Sequence, residues 1–322
     1  MLKKLTKCTA FLVLCGWLLS ANVFAKELIP VGQVVGLELR DDTVTIAAFD
    51  ESLGAAAKAA GVAIGDQIIC IDGSEIHSGS DVRSALERAD GTVELTVSRG
   101  GKMKKYSLTP QVTASGPKLG VYLRQGVTGI GTVTYYDPDT GAFGTLGHGV
   151  NASDGKLLQM TQGRAYEAKV LTVRKGRSGD PGQLMGSVDG DAPIGTLKAN
   201  TERGVFGTTD SGWQGETVTV AQSDAVKTGP AVIRSTVSGD TVREYSVEIL
   251  KIYPKSKQNG RNLLLRITDP ALLETTGGIV QGMSGSPILQ NGKLIGAVTH
   301  VLVNDPQTGY GIFIENMLEA AS

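Results

Sequence analysis

Downstream of residue 118 the chain offers almost no segment whose apolar residues recur at the three- and four-residue spacing of an amphipathic helix; only the last few residues do. What recurs instead is a short apolar or β-branched run, a turn, and another run. The runs are Gly131 to Tyr136, Val218 to Ala221, Ala231 to Val237, Ser246 to Ile252, Leu263 to Thr268 and Leu294 to Val303, with Asp137-Pro138-Asp139-Thr140-Gly141 as one of the turns. A stretch of roughly two hundred residues punctuated in this way buries a core only as strands against strands, in an all-β barrel or sandwich. Composition agrees. Glycine supplies 43 of the 322 residues, about twice the ~7% of ordinary chains, and glycine enters tight turns without steric cost.

Residues 28–110 read differently. Ala55 to Ala60 is a short helix that Gly61 can close, Gly65-Asp66 makes a turn, Gln67 to Ile71 is a buried strand and Asp72-Gly73 is a two-residue hairpin signal. Ser80 or Asp81 then caps a helix with Val82, Ala85, Leu86 and Ala89 on one face, and two strands flank the Arg99-Gly100-Gly101 turn. The ordered set A-A-G-V-x-x-G-D-x-I-x-x-I-D-G-x-x-I, followed by a helix and a hairpin, resembles a bacterial PDZ domain. That resemblance implies a peptide or protein tail added as a strand beside a Gly-rich loop. The loop would be Gly32, Gln33, Val34, Val35 and Gly36, with the groove helix at Ser80 to Ala89. Residues 111–118 lie in a stretch with Pro110, Gly116 and Pro117 and read as a linker, leaving 119–322 for the β-rich unit.

The scarce residues limit the chemistry. Basic and acidic side chains number 31 and 32, so no net field attracts nucleic acid. The three His (His77, His148, His300) and three Cys (Cys8, Cys15, Cys70) show no metal-ligand spacing, and no phosphate-binding loop of the G-x-x-x-x-G-K-[ST] type is present. No cofactor is implied. Lys3, Lys4 and Lys7 before the apolar run Thr9 to Leu19, then Val23-Phe24-Ala25, read as an export signal over residues 1–25, with an uncleaved membrane anchor as the alternative. Removing it leaves Cys70 alone and no internal disulfide.

Two glycine-framed segments carry the chemistry: Gly144-Thr145-Leu146-Gly147-His148-Gly149 and Gly278-Ile279-Val280-Gln281-Gly282-Met283-Ser284-Gly285-Ser286-Pro287. A serine nucleophile needs a base, backbone N–H groups aimed at the developing oxyanion, and room for substrate. Gly282 and Gly285 can provide the last two around Ser284, with the N–H groups of Gly282 and Ser284 as the oxyanion hole and His148 as the base. Ser286 is the neighbouring hydroxyl. His300 lies on the strand after the nucleophile, which places it in the substrate cleft or in plain β packing; His77 reads as a surface residue. For the acid, Asp180, Asp189, Asp191, Asp210 and Asp269 all lie between base and nucleophile.

The order His then Ser, with the hairpin signal Asn291-Gly292 after the serine, is similar to chymotrypsin-like peptidases and unlike α/β-hydrolases. With a PDZ module in front, and with Thr268-Asp269-Pro270, Thr276 to Pro287, Ala297 to Val301, Asn304-Asp305-Pro306 and Gly309-Tyr310-Gly311, the chain resembles the stage IV sporulation protein B peptidase family. The resemblance implies a PDZ domain followed by a chymotrypsin-like double β-barrel, a His148–Asp269–Ser284 triad, and a secreted serine endopeptidase of sporulation signalling. It further implies self-cleavage, then cleavage of a membrane-bound regulator, so that an intramembrane metalloprotease processes the late mother-cell sigma factor between the two forespore membranes. The alternatives are a non-catalytic exported PDZ adaptor and an HtrA-like quality-control protease, whose PDZ follows its protease domain.

Overall fold

The computed structural model describes residues 26–152, 154–188, 192–256 and 260–322, so the expected leader with Cys8 and Cys15 lies outside the described residues. The chain enters through β1 (Glu27–Pro30) and β2 (Val34–Phe49). β2 serves two sheets. Leu39 pairs with Val127 and Val44 with Gln125, so Arg40 to Thr43 bulge outward where the partner strand advances past Gly126 alone.

Beyond that bulge lies the PDZ domain: the end of β2, α1 (Ala55–Ala59), β3 (Gln67–Ile71), β4 (Ser74–Glu75), α2 (Gly79–Arg88), β5 (Val93–Arg99) and β6 (Lys102–Leu108). Its turns are those the sequence spells. Asp72 and Gly73 both take positive φ between β3 and β4, as do Gly100 and Gly101 between β5 and β6. Val82, Ala85 and Leu86 of α2 pack with Ile46, Ile68, Ile71, Leu95 and Val97. The helix cap differs from the expectation: Ser78, not Ser80 or Asp81, caps α2. Its side chain accepts from the Asp81 N–H, and the Asp81 carboxylate accepts from the His77 N–H at 3.0 Å, a reciprocal pair that one residue alone cannot make. Asp66, fully buried, receives two hydrogen bonds from Arg99 and one from the Ala63 N–H, tying the turn before β3 to the end of β5.

Residues 111–118 are not a free linker. They form a hairpin of β7 (Gln111–Thr113) and β8 (Gly116–Lys118), with β8 against α2. The chain then runs into β9 (Val121–Tyr136), whose first five residues pair with Val44 to Phe49 and whose remainder continues along Val34 to Leu39. This arrangement also corrects the expected peptide-binding loop. Gly32 sits against Arg234, where a Cβ would stand 2.7 Å from the Arg234 Cβ, and Val35 and Gly36 are paired on both sides, with β9 and with Glu167 and Tyr166. A strand paired on both edges has none left for a peptide. The apolar-Gly-apolar pattern occurs a second time, at Leu119-Gly120-Val121, and this copy lies in the PDZ sheet. Gln125, at the far end of the same segment, donates to the His77 carbonyl just ahead of α2.

Barrel one is closed by β9, β10 (Ala142–Thr145), β11 (Gln162–Arg174), β13 (Gly195–Thr201), β14 (Gly204–Thr208) and the first half of β2, while β12 (Gln183–Val188) hangs as a flap on β11 and β15 (Val218–Thr219) pairs with β1. Val35, Leu37, Val133, Phe143, Ala165 and Val205 fill it. Barrel two is closed by β16 (Gly229–Thr236), β17 (Val242–Ile252), β18 (Leu263–Ile267), β19 (Pro287–Gln290), β20 (Lys293–Leu302) and β21 (Asp305–Phe313), with α3 (Pro270–Thr276) after β18 and α4 (Ile314–Ala321) at the end. The two barrels meet across Leu28, Tyr135, Phe206, Leu294, Ile312 and Met317. The expected PDZ plus double β-barrel is therefore the fold, with the PDZ set between two neighbouring strands of barrel one.

Gly126 has φ +77 and a Cβ there would run into the Leu39 carbonyl, whereas Gly91, at φ +95, faces open space. Gly126→Ala should lower stability by about 2–4 kcal/mol, from left-handed strain plus a backbone clash. Gly91→Ala should cost only about 1–2 kcal/mol. Urea unfolding midpoints of the two variants check the difference.

Candidate active site

His148 follows β10 in a loop that leaves no room for other residues. Leu146 and Gly147 both take φ +68, and a Cβ on Gly147 would stand 2.9 Å from the Thr299 side chain and one on Gly149 2.7 Å from the Thr201 carbonyl. Asn200 holds the far side of the loop. Its side chain accepts from the Val150 N–H at 2.9 Å and donates to the Val150 and Leu158 carbonyls.

Ser284 sits between two glycines with φ +98, Gly282 and Gly285. At Gly285 a Cβ would collide with the Thr132 carbonyl, so only glycine fits there. Three bonds from β9 hold the loop: the Thr132 hydroxyl donates to the Gly282 carbonyl at 2.7 Å, the Thr132 N–H to the Ser284 carbonyl at 3.0 Å, and the Thr134 hydroxyl to the Gly285 carbonyl at 2.8 Å. Met283 N–H bonds to Val280, Gly285 N–H to Val298 and Ser286 N–H to Met283. The N–H groups of Gly282 and Ser284 find no acceptor among the described residues. Two free amides beside a serine hydroxyl are what an oxyanion hole requires.

The Ser284 hydroxyl donates to the Thr299 carbonyl at 2.7 Å, and the His148 Nδ1 lies 2.9 Å from the Gly149 carbonyl. With Nδ1 donating there, Nε2 is the ring's basic nitrogen. His148, Gly282, Ser284, Thr299 and His300 line one cavity of about 480 Å³, whose remaining wall is mostly aliphatic, including Leu37, Val127, Ile130, Val280 and Val301. Burial pulls the His148 pKa below the usual imidazole value, and the Gly149 carbonyl offsets part of that. His300 is pushed down to about 4 by burial, then by His148 and Arg261.

The sequence-derived residues do not all converge. His148, Ser284, Gly282 and His300 do. Ser286 is buried and donates to Ser235, away from solvent. His77 is exposed beside Glu75. Asp269 is not brought to His148: it is the N-cap of α3, where its carboxylate accepts from the Leu272 N–H at 3.0 Å and, more weakly, from the Ser246 N–H at 3.4 Å. Asp180 pairs with Arg174, Asp210 is exposed, and Asp189 and Asp191 lie outside the described residues. Thr132, Thr134 and Asn200 escaped sequence reasoning, since nothing local marks a strand threonine as the clamp of a loop 150 residues away. Among the described residues no three His, Cys, Asp or Glu side chains converge as metal ligands.

A model of the SpoIVB peptidase S55 family matches residues 116–318, and a PDZ-domain model matches residues 35–109. The chain is similar to a putative zinc metalloprotease, Atu1380 of Agrobacterium fabrum strain C58, at 36% identity over 78 residues, which is 24% of this chain and only 21% of that protein. Among solved structures it is similar to the PDZ domain of the SdrC-like protein of Listeria monocytogenes (22% identity, TM-score 0.22, 26% of this chain and 87% of that one). It is also similar to the Rv3671c protease in an inactive form (16% identity, TM-score 0.35, 60% and 82% of the two chains). A mutant of the same protease, from M. tuberculosis H37Rv, gives 17% identity and TM-score 0.37, over 61% and 82%.

Two outcomes follow from the geometry. Because the His148 pKa is lowered, the base stays neutral below the usual imidazole pKa of about 6.5, and the acid limb of a pH–rate profile should fall below that value. Asp269→Ala should remove a helix cap, costing about 0.5–2 kcal/mol in a thermal melt, and leave that acid limb where it is.

Proposed function

The chain belongs to the SpoIVB peptidase S55 family, and from that premise we propose that this PDZ-containing serine protease is an exported signalling endopeptidase of sporulation. In this reading Ser284 attacks the peptide carbonyl as its proton passes to Nε2 of His148. The tetrahedral oxyanion is held by the Gly282 and Ser284 N–H groups, and His148 returns the proton to the leaving amine. Water then repeats the sequence on the acyl-enzyme, restoring the serine and releasing the acid. The hydroxyl bonded to Thr299 must turn from that carbonyl toward His148 before the first step. The observation that carries the reading is the pair of amides, those of Gly282 and Ser284, that have no acceptor among the described residues, in the cavity that also holds His148.

The aliphatic cavity wall favours an apolar side chain next to the scissile bond, since burying it there removes apolar surface from water. The protein or peptide substrate is proposed to be first the enzyme's own N-terminal region and then a membrane-bound regulator of an intramembrane metalloprotease, in the space between the forespore membranes. Support for that setting is the family resemblance together with the export-signal pattern of residues 1–25. The PDZ groove that would receive a peptide tail is proposed to lie between the free edge at Val121 to Gln125 and α2.

Fluorophosphonate labelling of the purified protein should tag wild type and not Ser284→Ala, while His148→Ala should label roughly a thousandfold or more slowly. Mass spectrometry should find a self-cleaved N-terminus in wild type that Ser284→Ala lacks. Equal labelling of wild type and Ser284→Ala, or none in either before and after N-terminal trimming, would leave the adaptor reading in its place.

A further inference from the structure

On the serine-protease reading of Ser284 and His148, the polypeptide downstream of the attacked bond leaves the cavity along one of its walls, and one wall is β9, through Val127, Gly129 and Ile130. β9 is paired on both edges only from Val133 onward, where β1 and β10 join it. From Val121 to Thr132 its one strand partner among the described residues is β2. In a strand the N–H and C=O of one residue point to the same edge, and those of its neighbours to the other. Thr132 turns both groups away from β2: its N–H donates to the Ser284 carbonyl and its carbonyl accepts from the Leu146 N–H. The register holds unbroken back to Val127. Ile130 and Thr128 therefore turn their groups the same way, and nothing among the described residues meets them.

The PDZ end of β9 presents the same edge. The Gly120 carbonyl accepts from the Asp50 N–H, on the β2 side, and across a planar trans peptide the Val121 N–H points the opposite way. Alternation then turns Leu123 and Gln125 outward as well. Gly120 has φ +72, a Cβ on it would run into the Leu53 carbonyl, and its own N–H has no acceptor among the described residues. Free amides on either side of a left-handed glycine form a concavity that suits a carboxylate, and exposed Lys118 stands just before it. The Gln125 side-chain amide donates to the Asp41 and His77 carbonyls, both at 2.9 Å, which ties the start of α2 to the bulge where the PDZ joins barrel one. Groove and cavity are thereby held at a fixed separation.

We propose that one peptide occupies both, so that the PDZ domain measures where the protease cuts. The peptide adds to the free edge of β9 as an antiparallel strand, from Ile130 beside Ser284 to Val121, with its C-terminal carboxylate on the Gly120 and Val121 amides. Main-chain hydrogen bonds of this kind give affinity without demanding a sequence. Thr132 is already taken by the nucleophile loop, so pairing starts at Ile130, a residue or two past the scissile bond. Counting one peptide residue for each β9 residue back to Val121, and allowing one for the Gly126 kink, the cut falls about ten to twelve residues from the free C-terminus. The substrate class is thus a polypeptide with a free, extended C-terminal tail. Self-cleavage near the N-terminus offers no such tail, so it proceeds without the PDZ contact, and the spacing applies to the second substrate.

The test uses the full chain and synthetic mixed-sequence peptide libraries of about twenty and about thirty residues, each made as the free acid and as the C-terminal amide, with products read by mass spectrometry. Wild type should release C-terminal fragments of about ten to twelve residues from both lengths, and about tenfold faster from the acid than from the amide. Lys118→Glu sets a negative charge beside the carboxylate site, and Thr128→Pro removes an outward N–H from an edge, where proline is tolerated. Both positions are exposed. Each variant should lose most of the acid-over-amide ratio, a comparison made within one protein; if one fails to melt cooperatively, the other carries the test. The proposal is overturned if fragment length follows peptide length instead of distance from the C-terminus, or if acid and amide are cut alike. It is also overturned if both folded variants keep the wild-type ratio, or if wild type labels with a fluorophosphonate yet cuts neither library. Cutting by Ser284→Ala at the wild-type rate would remove the underlying serine-protease reading, an outcome distinct from the others.

Discussion

Thr132 carries the constraint on which the catalytic arrangement rests. Its hydroxyl and its N–H take the carbonyls of Gly282 and Ser284, which pins the backbone on both sides of Met283, while the N–H groups of Gly282 and Ser284, on the neighbouring peptide units, are left without acceptors among the described residues. A free amide in a partly buried loop costs stability, so it persists only where the surroundings over-determine the backbone. Here they do. Thr134 holds the next carbonyl, Met283 is fully buried, and Gly285 lies so close to β9 that no Cβ fits. The nucleophile loop belongs to barrel two and its clamp to barrel one, so the site exists only where the barrels are docked.

This arrangement explains which parts of the site could be read from the chain alone. Ser284 lies between Gly282 and Gly285 and His148 directly after Gly147, glycines whose positive φ is written in the residue type, and the hairpins at Asp72-Gly73, Gly100-Gly101 and Asn291-Gly292 carry the same kind of local code. Thr132 and Asn200 carry no such mark. A threonine in a strand and an asparagine near a turn are ordinary residues, and their roles come from pairing across long separations that no local pattern specifies. Asp269 shows the opposite hazard. Asp before Pro at the head of a short apolar helix is a capping signal, and the capping bond is the one the structure contains.

The expected peptide-binding loop at Gly32 to Gly36 fails for a related reason. Val35-Gly36-Leu37 and Leu119-Gly120-Val121 carry the same apolar-Gly-apolar pattern; the first lies on β2, which runs from barrel one into the PDZ sheet, and the second leads into β9, which runs back from the PDZ sheet into barrel one. Which copy retains a free edge depends on the partner across the sheet: β11 covers the first, whereas the second, at the PDZ end of β9, pairs through Val121 to Gln125 with β2 alone among the described residues. β9 therefore has a free edge of the PDZ sheet at one end and Thr132 and Thr134 at the other, within a single run of backbone. Only the Gly126 kink interrupts it.

That shared pair of strands also sets an order of assembly. β2 and β9 are adjacent in barrel one but separated in the chain by the whole PDZ module, and joining the ends of a long flexible segment carries an entropic cost that grows with its length. A folded PDZ removes most of that cost, because its own sheet already aligns Val44 to Phe49 with Val121 to Gln125 and so delivers the two strands to the barrel in register. The module also leaves the ribosome before most strands of either barrel have been made, and domains generally fold as units in that order. A chain whose PDZ fails to fold arrives at barrel closure with its first two strands unaligned, so the same module that would read a peptide also decides whether a protease forms at all.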